Sequence, residues 1–116
     1  MTDNMESTRQ KKIARLLQKE LAEIFRRRTT ELAPGRMITV TTVRISPDLS
    51  LAKIYLSIFP SNDSGKVFGS IKEHIGSVRY DLGKEVHNQL RIIPELAVFP
   101  DDSLDYIDNI DKLIKS

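Results

Sequence analysis

An α+β fold, in which helices cover one face of a small three-stranded sheet, is what this sequence predicts. Three observations carry that expectation. Two segments, around residues 8–32 and 65–90, repeat apolar residues every three or four positions, the spacing of one helix face. Between them lie two β-branched runs, residues 37–45 and 51–59, joined by a short Ser-Pro-Asp-Leu-Ser link. A brief apolar run after Pro94 supplies a third strand. With 116 residues there is room for one core, so residues 1–116 are expected to form a single domain.

Residues 1–7 read as a flexible lead-in. Ser7-Thr8-Arg9-Gln10 has the form of a capping box, in which Ser7 caps the helix and Gln10 reaches back. Ile13, Leu16, Leu17, Leu21, Ile24 and Phe25 then form one stripe, and the helix is expected to run to about Arg28–Leu32 before Pro34-Gly35 stops it. In 37–45, Ile38 and Val40 lie in one phase and Val43 and Ile45 in the other; a bulge or a strand buried on both faces explains the change. Pro47-Asp48 is turn chemistry, with Asp48 bonding to local backbone. In 51–59, Ala52, Ile54, Leu56 and Ile58 point one way, and so short a link makes the pair an antiparallel hairpin.

Val67, Ile71, Ile75, Val78, Leu82, Val86 and Leu90 continue a helical stripe that Pro94 ends. Gly76 in its middle marks a kink, a close backbone contact or merely a tolerated glycine. Leu96, Val98 and Phe99 form the third strand. A helical crossover into that strand implies that it pairs in parallel. Residues 101–116 read as an acidic helical extension with Leu104, Ile107, Ile110 and Ile114 inward.

Composition removes several classes of function. The chain has no cysteine, which excludes disulfides, thiolate metal sites and thiol nucleophiles. His74 and His87 have no zinc-ligand pattern around them, and no phosphate loop, GxGxxG or GxSxG motif is present. The aspartates between 101 and 111 lack the glycine and final glutamate of a calcium loop. No apolar run approaches the ~20 residues that span a bilayer, and the first residues lack a signal-peptide core. A cytoplasmic protein without catalysis, cofactor or metal is expected.

The net charge of +2 is unevenly spread: +5 over residues 1–53, zero over 54–100 and −3 over 101–116. That polarity suits an anionic partner. At about 100° per residue, Lys11, Arg15, Lys19 and Arg26 fall opposite the apolar stripe of the first helix. Arg26-Arg27-Arg28 crowns its end. Such a row suits the phosphates of a duplex or folded RNA; an ordinary solvated face is the plainer alternative.

VRISPDLSLAKIYLSIF and SVRYDLGKEVHNQLRIIPELAVFPDDSL together resemble the ribosome-binding factor A family. The recurring features are Ser46-Pro47-Asp48-Leu49, Ala52-Lys53-Ile54-Tyr55, Arg79, Leu82, Arg91, Pro94-Glu95-Leu96, Phe99, Asp101 and Ser103, in order over about residues 8–110. The resemblance implies a type II KH-like domain of α-β-β-α-(kink)-α-β order. It also implies a noncatalytic assembly factor that binds the immature small ribosomal subunit and its 16S ribosomal RNA and assists late maturation. No membrane or small-molecule partner and a monomer off the ribosome are expected. In place of the GxxG loop of ordinary KH domains, the family has an Ala-x-Gly kink. Here the residues are His74-Ile75-Gly76, with the glycine kept and the alanine replaced. Candidate RNA-binding residues are therefore Lys11, Arg15, Lys19, Arg26, Arg27, Arg28, Arg44, Lys53, Gly76 and Arg79, with Arg91 near the second helix pair. Arg79 and Arg91 bracing carboxylates within the fold is the alternative for those two. A nonspecific nucleic-acid binder, or a protein adaptor using the hairpin edge and acidic tail, are the competing functions.

Overall fold

The structure, a computed structural model, describes residues 7–101. The expected C-terminal helix and residues 1–6 lie outside them. The elements are α1 (Thr8–Arg27), α2 (Thr29–Leu32), β1 (Met37–Ile45), β2 (Leu51–Phe59), α3 (Ser64–Glu73), α4 (Ile75–Val86) and β3 (Glu95–Pro100). Apart from the single-turn α2, this is the α-β-β-α-α-β order of a type II KH-like fold. The sheet order is β1-β2-β3, with β1 antiparallel and β3 parallel to the central β2.

The capping box at the start of α1 forms on both sides. The Ser7 hydroxyl accepts from the Gln10 N–H at 3.1 Å, and the Gln10 side-chain carbonyl accepts from the Ser7 N–H at 2.8 Å. Ile13, Leu17, Leu21, Ile24 and Phe25 are buried in one cluster with the inward residues of the sheet. The helix stops at Arg27, at the near end of its expected range. Thr29 explains the stop: its hydroxyl donates to the carbonyls of Phe25 (2.7 Å) and Arg26 (3.1 Å), competing with continuation of the helix. Leu32 and Ala33 then turn into the core. Gly35, at φ 76°, takes the left-handed conformation that this reversal needs.

The phase change in β1 is a bulge. The register with β2 shifts between Val40 and Thr42, so Thr41 is the extra residue. That one insertion returns Ile38, Val40, Val43 and Ile45 to the same buried face, opposite Ala52, Ile54, Leu56 and Ile58. The helix above serves the bulge: the Gln18 amide donates to the carbonyls of Val40 (3.3 Å) and Thr41 (3.2 Å). Gln10 does the same at the strand's far end, donating to the Ile45 carbonyl at 2.9 Å.

The long helical stretch is two helices. They divide at His74 (φ −101°, ψ 6°), the first residue of the His74-Ile75-Gly76 triplet, and Gly76 lies in the first turn of α4 outside the left-handed region. The His74 ring lies 2.8 Å from the Ser70 carbonyl through Nδ1, and the Ser77 hydroxyl donates to the His74 carbonyl at 2.9 Å. Both carbonyls also accept backbone N–H groups, from His74 and Val78, so each is bonded twice at the junction. The second helix also ends at Val86, well before Pro94. Leu90 reaches the core from the following turn, where the N–H groups of Gln89 and Leu90 donate to the Val86 carbonyl.

Gln10 is the buried polar side chain of the described core, and both ends of its amide are used. Gln10→Ala should therefore destabilise the domain by about 1–3 kcal/mol, because the Ser7 N–H loses its side-chain acceptor and the Ile45 carbonyl loses a donor. A denaturant titration of both proteins checks this; equal midpoints would mean that water replaces the amide at no cost.

Candidate nucleic-acid interface

α1 presents its cations as the sequence predicts. Its buried side is clamped to β1, so Lys11, Arg15, Lys19 and Arg26 are all exposed on the side facing away from the sheet. From Lys11 to Arg26 they span roughly 22 Å of helix. Lys12 is exposed beside them and lies next to Lys19 on the helical projection. It was missed because it falls at the margin of the row rather than on its axis.

The arginines at the end of α1 divide into different roles. Arg26 donates through Nε to Glu23 at 3.3 Å and also pairs with it through the second guanidinium nitrogen. That hydrogen bond holds the Glu23 carboxyl below its ordinary range. Arg26, at the C-terminal end of the row, thus differs from Lys11, Arg15 and Lys19 in having an acidic partner. Arg27 is exposed. Arg28 is committed within the fold: it donates to Glu31 (2.7 Å), to the Ser77 hydroxyl (2.8 Å) and to Asp81 (3.4 Å), tying the end of α1 to α4. Only 18% of its side chain is exposed. It serves as a helix-to-helix tether, with its donors already engaged.

Arg79 is also a brace, but for carbonyls rather than the expected carboxylates. It donates to Pro94 (2.9 Å) and Ile93 (2.5 Å), holding the segment that leads into β3 against α4. Beside it runs an open groove lined by Gly76, Tyr80, Gly83, Lys84, His87 and Ile93. The Lys84 ammonium sits 4.9 Å from the centre of the Tyr80 ring. A Cβ built on Gly76 meets nothing within 4 Å. Of the readings the sequence leaves for Gly76, the open space excludes the close backbone contact: Gly76 is part of an accessible surface. Arg91 is exposed and lines a second cleft, between the start of α1 and the β1–β2 turn, together with Arg9, Ile13 and Leu49.

Arg44 and Lys53 are directly opposed on β1 and β2. Both are exposed, on the face of the sheet away from the helices. They therefore point to the opposite side of the domain from the α1 row. One straight duplex cannot lie along both. In the turn between these strands, Asp48 accepts from the Ser46 hydroxyl (2.8 Å), the Ser50 hydroxyl (2.7 Å) and the Ser50 N–H (3.1 Å). Leu49 takes φ 64° there. The bonds from Ser50 and Ser46 pull the Asp48 carboxyl below the usual aspartate range. Among the described residues no group of acids and histidines could hold a metal ion, and no helix is long and apolar enough to cross a membrane.

A three-stranded sheet under α1 and the α3–α4 pair, with a break at His74 where a GxxG clamp would stand and a cationic outer helix, defines a KH-like domain of the type II order. The chain belongs to the ribosome-binding factor A family, whose model matches residues 9–114. It is 44% identical over 110 residues to the ribosome-binding factor A of Cytophaga hutchinsonii, covering 95% of this chain and 83% of that protein. Against the same factor from Christiangramia forsetii it is 44% identical over 111 residues, covering 95% and 85%. The crystal structure of ribosome-binding factor A from Thermus thermophilus shares the fold, with a TM-score of 0.67 and 21% identity over 78% of this chain and 94% of that one. So does a model of the Thermus protein fitted into a cryo-EM map of a 30S–RbfA complex, at a TM-score of 0.60 and 24% identity, covering 75% and 89%.

Two measurements test these placements. Gly76→Ala should raise stability by up to about 1 kcal/mol, since the added methyl meets open space and alanine favours the helix; a lower melting temperature would show that the backbone there needs glycine. For Asp48, the folded value is depressed. Its contribution is therefore complete above the unfolded aspartate value of about 3.9 and is lost as pH falls through the lower folded value. The gap in melting temperature between wild type and Asp48→Ala should close on acidification below about pH 4. A gap that stays constant would mean that the carboxylate form is not what braces the turn.

Proposed function

We propose that this protein is a noncatalytic, cytoplasmic assembly factor that binds the immature small ribosomal subunit and its 16S ribosomal RNA and assists late maturation of that RNA. The exposed row Lys11, Arg15 and Lys19 carries the reading: among the described residues no ion pair engages these cations, and they project from a helix whose other side is fixed to the sheet. A rigid line of charge positions phosphates without reading sequence. Membership of a family named for ribosome binding supports the partner, as does the Thermus relative studied in a 30S–RbfA complex.

The mechanism is a shift of population. A protein that binds one conformation of maturing RNA more tightly than its alternatives enriches that conformation by its differential affinity, with no bond made or broken. The α1 row supplies affinity. The accessible groove beside Gly76, with Tyr80, Lys84 and His87 around it, supplies a shaped surface on the helix side of the domain.

Replacing Lys11, Arg15 and Lys19 together with Gln should leave the fold intact, since all three are exposed and helix propensity barely changes. Small-subunit affinity should fall, and the log–log salt slope should flatten by about 2 to 3 units if each cation neutralises one phosphate. Co-sedimentation with small subunits across a salt series measures both quantities. A folded variant with wild-type affinity and slope would reduce the row to solvated surface.

A further inference from the structure

The sheet face that the helices leave open has its own chemistry. β-strand alternation and the observed register place Met37 beside Phe59, Thr39 beside Ser57, Thr42 beside Tyr55 and Arg44 beside Lys53. From β3, Phe99 lies beside Tyr55 and Ala97 beside Lys53. The Tyr55 and Phe99 rings are 5.6 Å apart, centre to centre, and tilted by 30°. Phe59 is 72% exposed, Met37 64% and Phe99 39%. Burial would gain from covering them, and none of the described helices does so. Arg44 and Lys53 have no ion-pair partner among the described residues, and the nearest acid on this face, Glu95, lies opposite Leu51.

We propose that this open sheet face is a second RNA site, specific for unpaired nucleotides. The proposal rests on the reading that the partner is RNA, and it adds a class of RNA that α1 is not suited to take. Rings lying on a sheet can stack only on bases that have left a helix, whereas a row of cations on a rod follows the phosphates of a paired one. Tyr55 and Phe59 are two same-face steps apart on β2, about 13 Å, so separate bases can use them. Arg44 and Lys53 lie one step beyond Tyr55, where the phosphates of the same strand would pass. The hydroxyls of Thr39, Thr42 and Ser57 fill the space between the aromatic positions with hydrogen-bonding groups. That polar middle favours a nucleotide strand over the apolar face of a partner helix.

The test compares the full-length protein with two variants. Tyr55→Leu/Phe99→Leu removes the adjoining pair of rings and leaves Phe59, and Arg44→Gln/Lys53→Gln removes the charges from exposed positions where folding is not at stake. Ligands are a short unpaired RNA oligonucleotide and an RNA duplex. The ring variant, if folded, should bind the oligonucleotide about 5-fold or more weaker for each stacked base lost. The charge variant should lose affinity and salt dependence for the same ligand. Duplex binding should be unchanged in both. Wild-type protein that ignores the oligonucleotide, or a folded charge variant that binds it as wild type does, overturns the site. Co-sedimentation with small subunits, scored in parallel, separates the two readings. Wild type that fails to sediment rejects the assembly-factor role, whereas wild type that sediments but ignores the oligonucleotide rejects only the open-face site.

Discussion

Everything in this domain is arranged around the way α1 is fastened along β1. Burial of Ile13, Leu17, Leu21, Ile24 and Phe25 against Ile38, Val40, Val43 and Ile45 supplies the attraction, but apolar contact alone tolerates sliding. Two glutamine amides remove that freedom. Gln10 reaches the last carbonyl of β1, and Gln18 reaches the carbonyls of Val40 and of the bulged Thr41. A buried carbonyl without a donor is costly, so a one-residue slip of the helix would forfeit these bonds. With rotation and translation both set, the opposite side of α1 is set too, and its cations become a rigid feature of the surface.

The same economy divides the basic residues into two groups. Arg28, Arg79 and Arg36 direct their guanidinium groups at protein partners: at α4, at the carbonyls before β3, and at the carbonyls of Pro60 and Asn62. Arginine suits this task because its planar fork can hold two acceptors at once. Lys11, Arg15, Lys19, Arg44 and Lys53 lie on outward faces, with no ion pair among the described residues. A count of positive charge cannot separate these groups. The charge that structures the chain and the charge available to a partner are chemically alike and differ only in what lies within reach.

That distinction marks where the sequence was legible and where it was not. Periodicity located α1, the hairpin and its buried face, and the imperfect phase of β1 left a bulge or a strand buried on both faces, of which the structure has the bulge, at Thr41. Those features repeat locally, so a single chain displays them. Arg28 looked like its two neighbours because its partners, Ser77 and Asp81, are about fifty residues away in sequence. Gln10 was readable as a cap, whereas its bond to Ile45 spans 35 residues and leaves no local trace. The break between α3 and α4 falls within the His74-Ile75-Gly76 triplet, at His74, where the ring and the Ser77 hydroxyl add side-chain contacts to carbonyls that also accept backbone N–H groups. The triplet is local in sequence, whereas which of its three residues leaves the helix is not.

A two-layer domain of this kind has two broad outer surfaces, and here they differ in character. The helix side offers a straight line of cations; the sheet side offers rings, hydroxyls and two cations. A ligand contacting only one surface gains no information from the other. If both surfaces bind RNA as proposed, that RNA must place a paired segment and an unpaired one on opposite sides of the same small body. That demand is geometric, so few conformations of a folding RNA satisfy it, and those that do gain the sum of the two interactions less the cost of ordering both segments. Discrimination among conformations then requires no base-specific contact. It follows from the thickness of the domain and from the separation of its two surfaces, which the α1–β1 fastening holds constant.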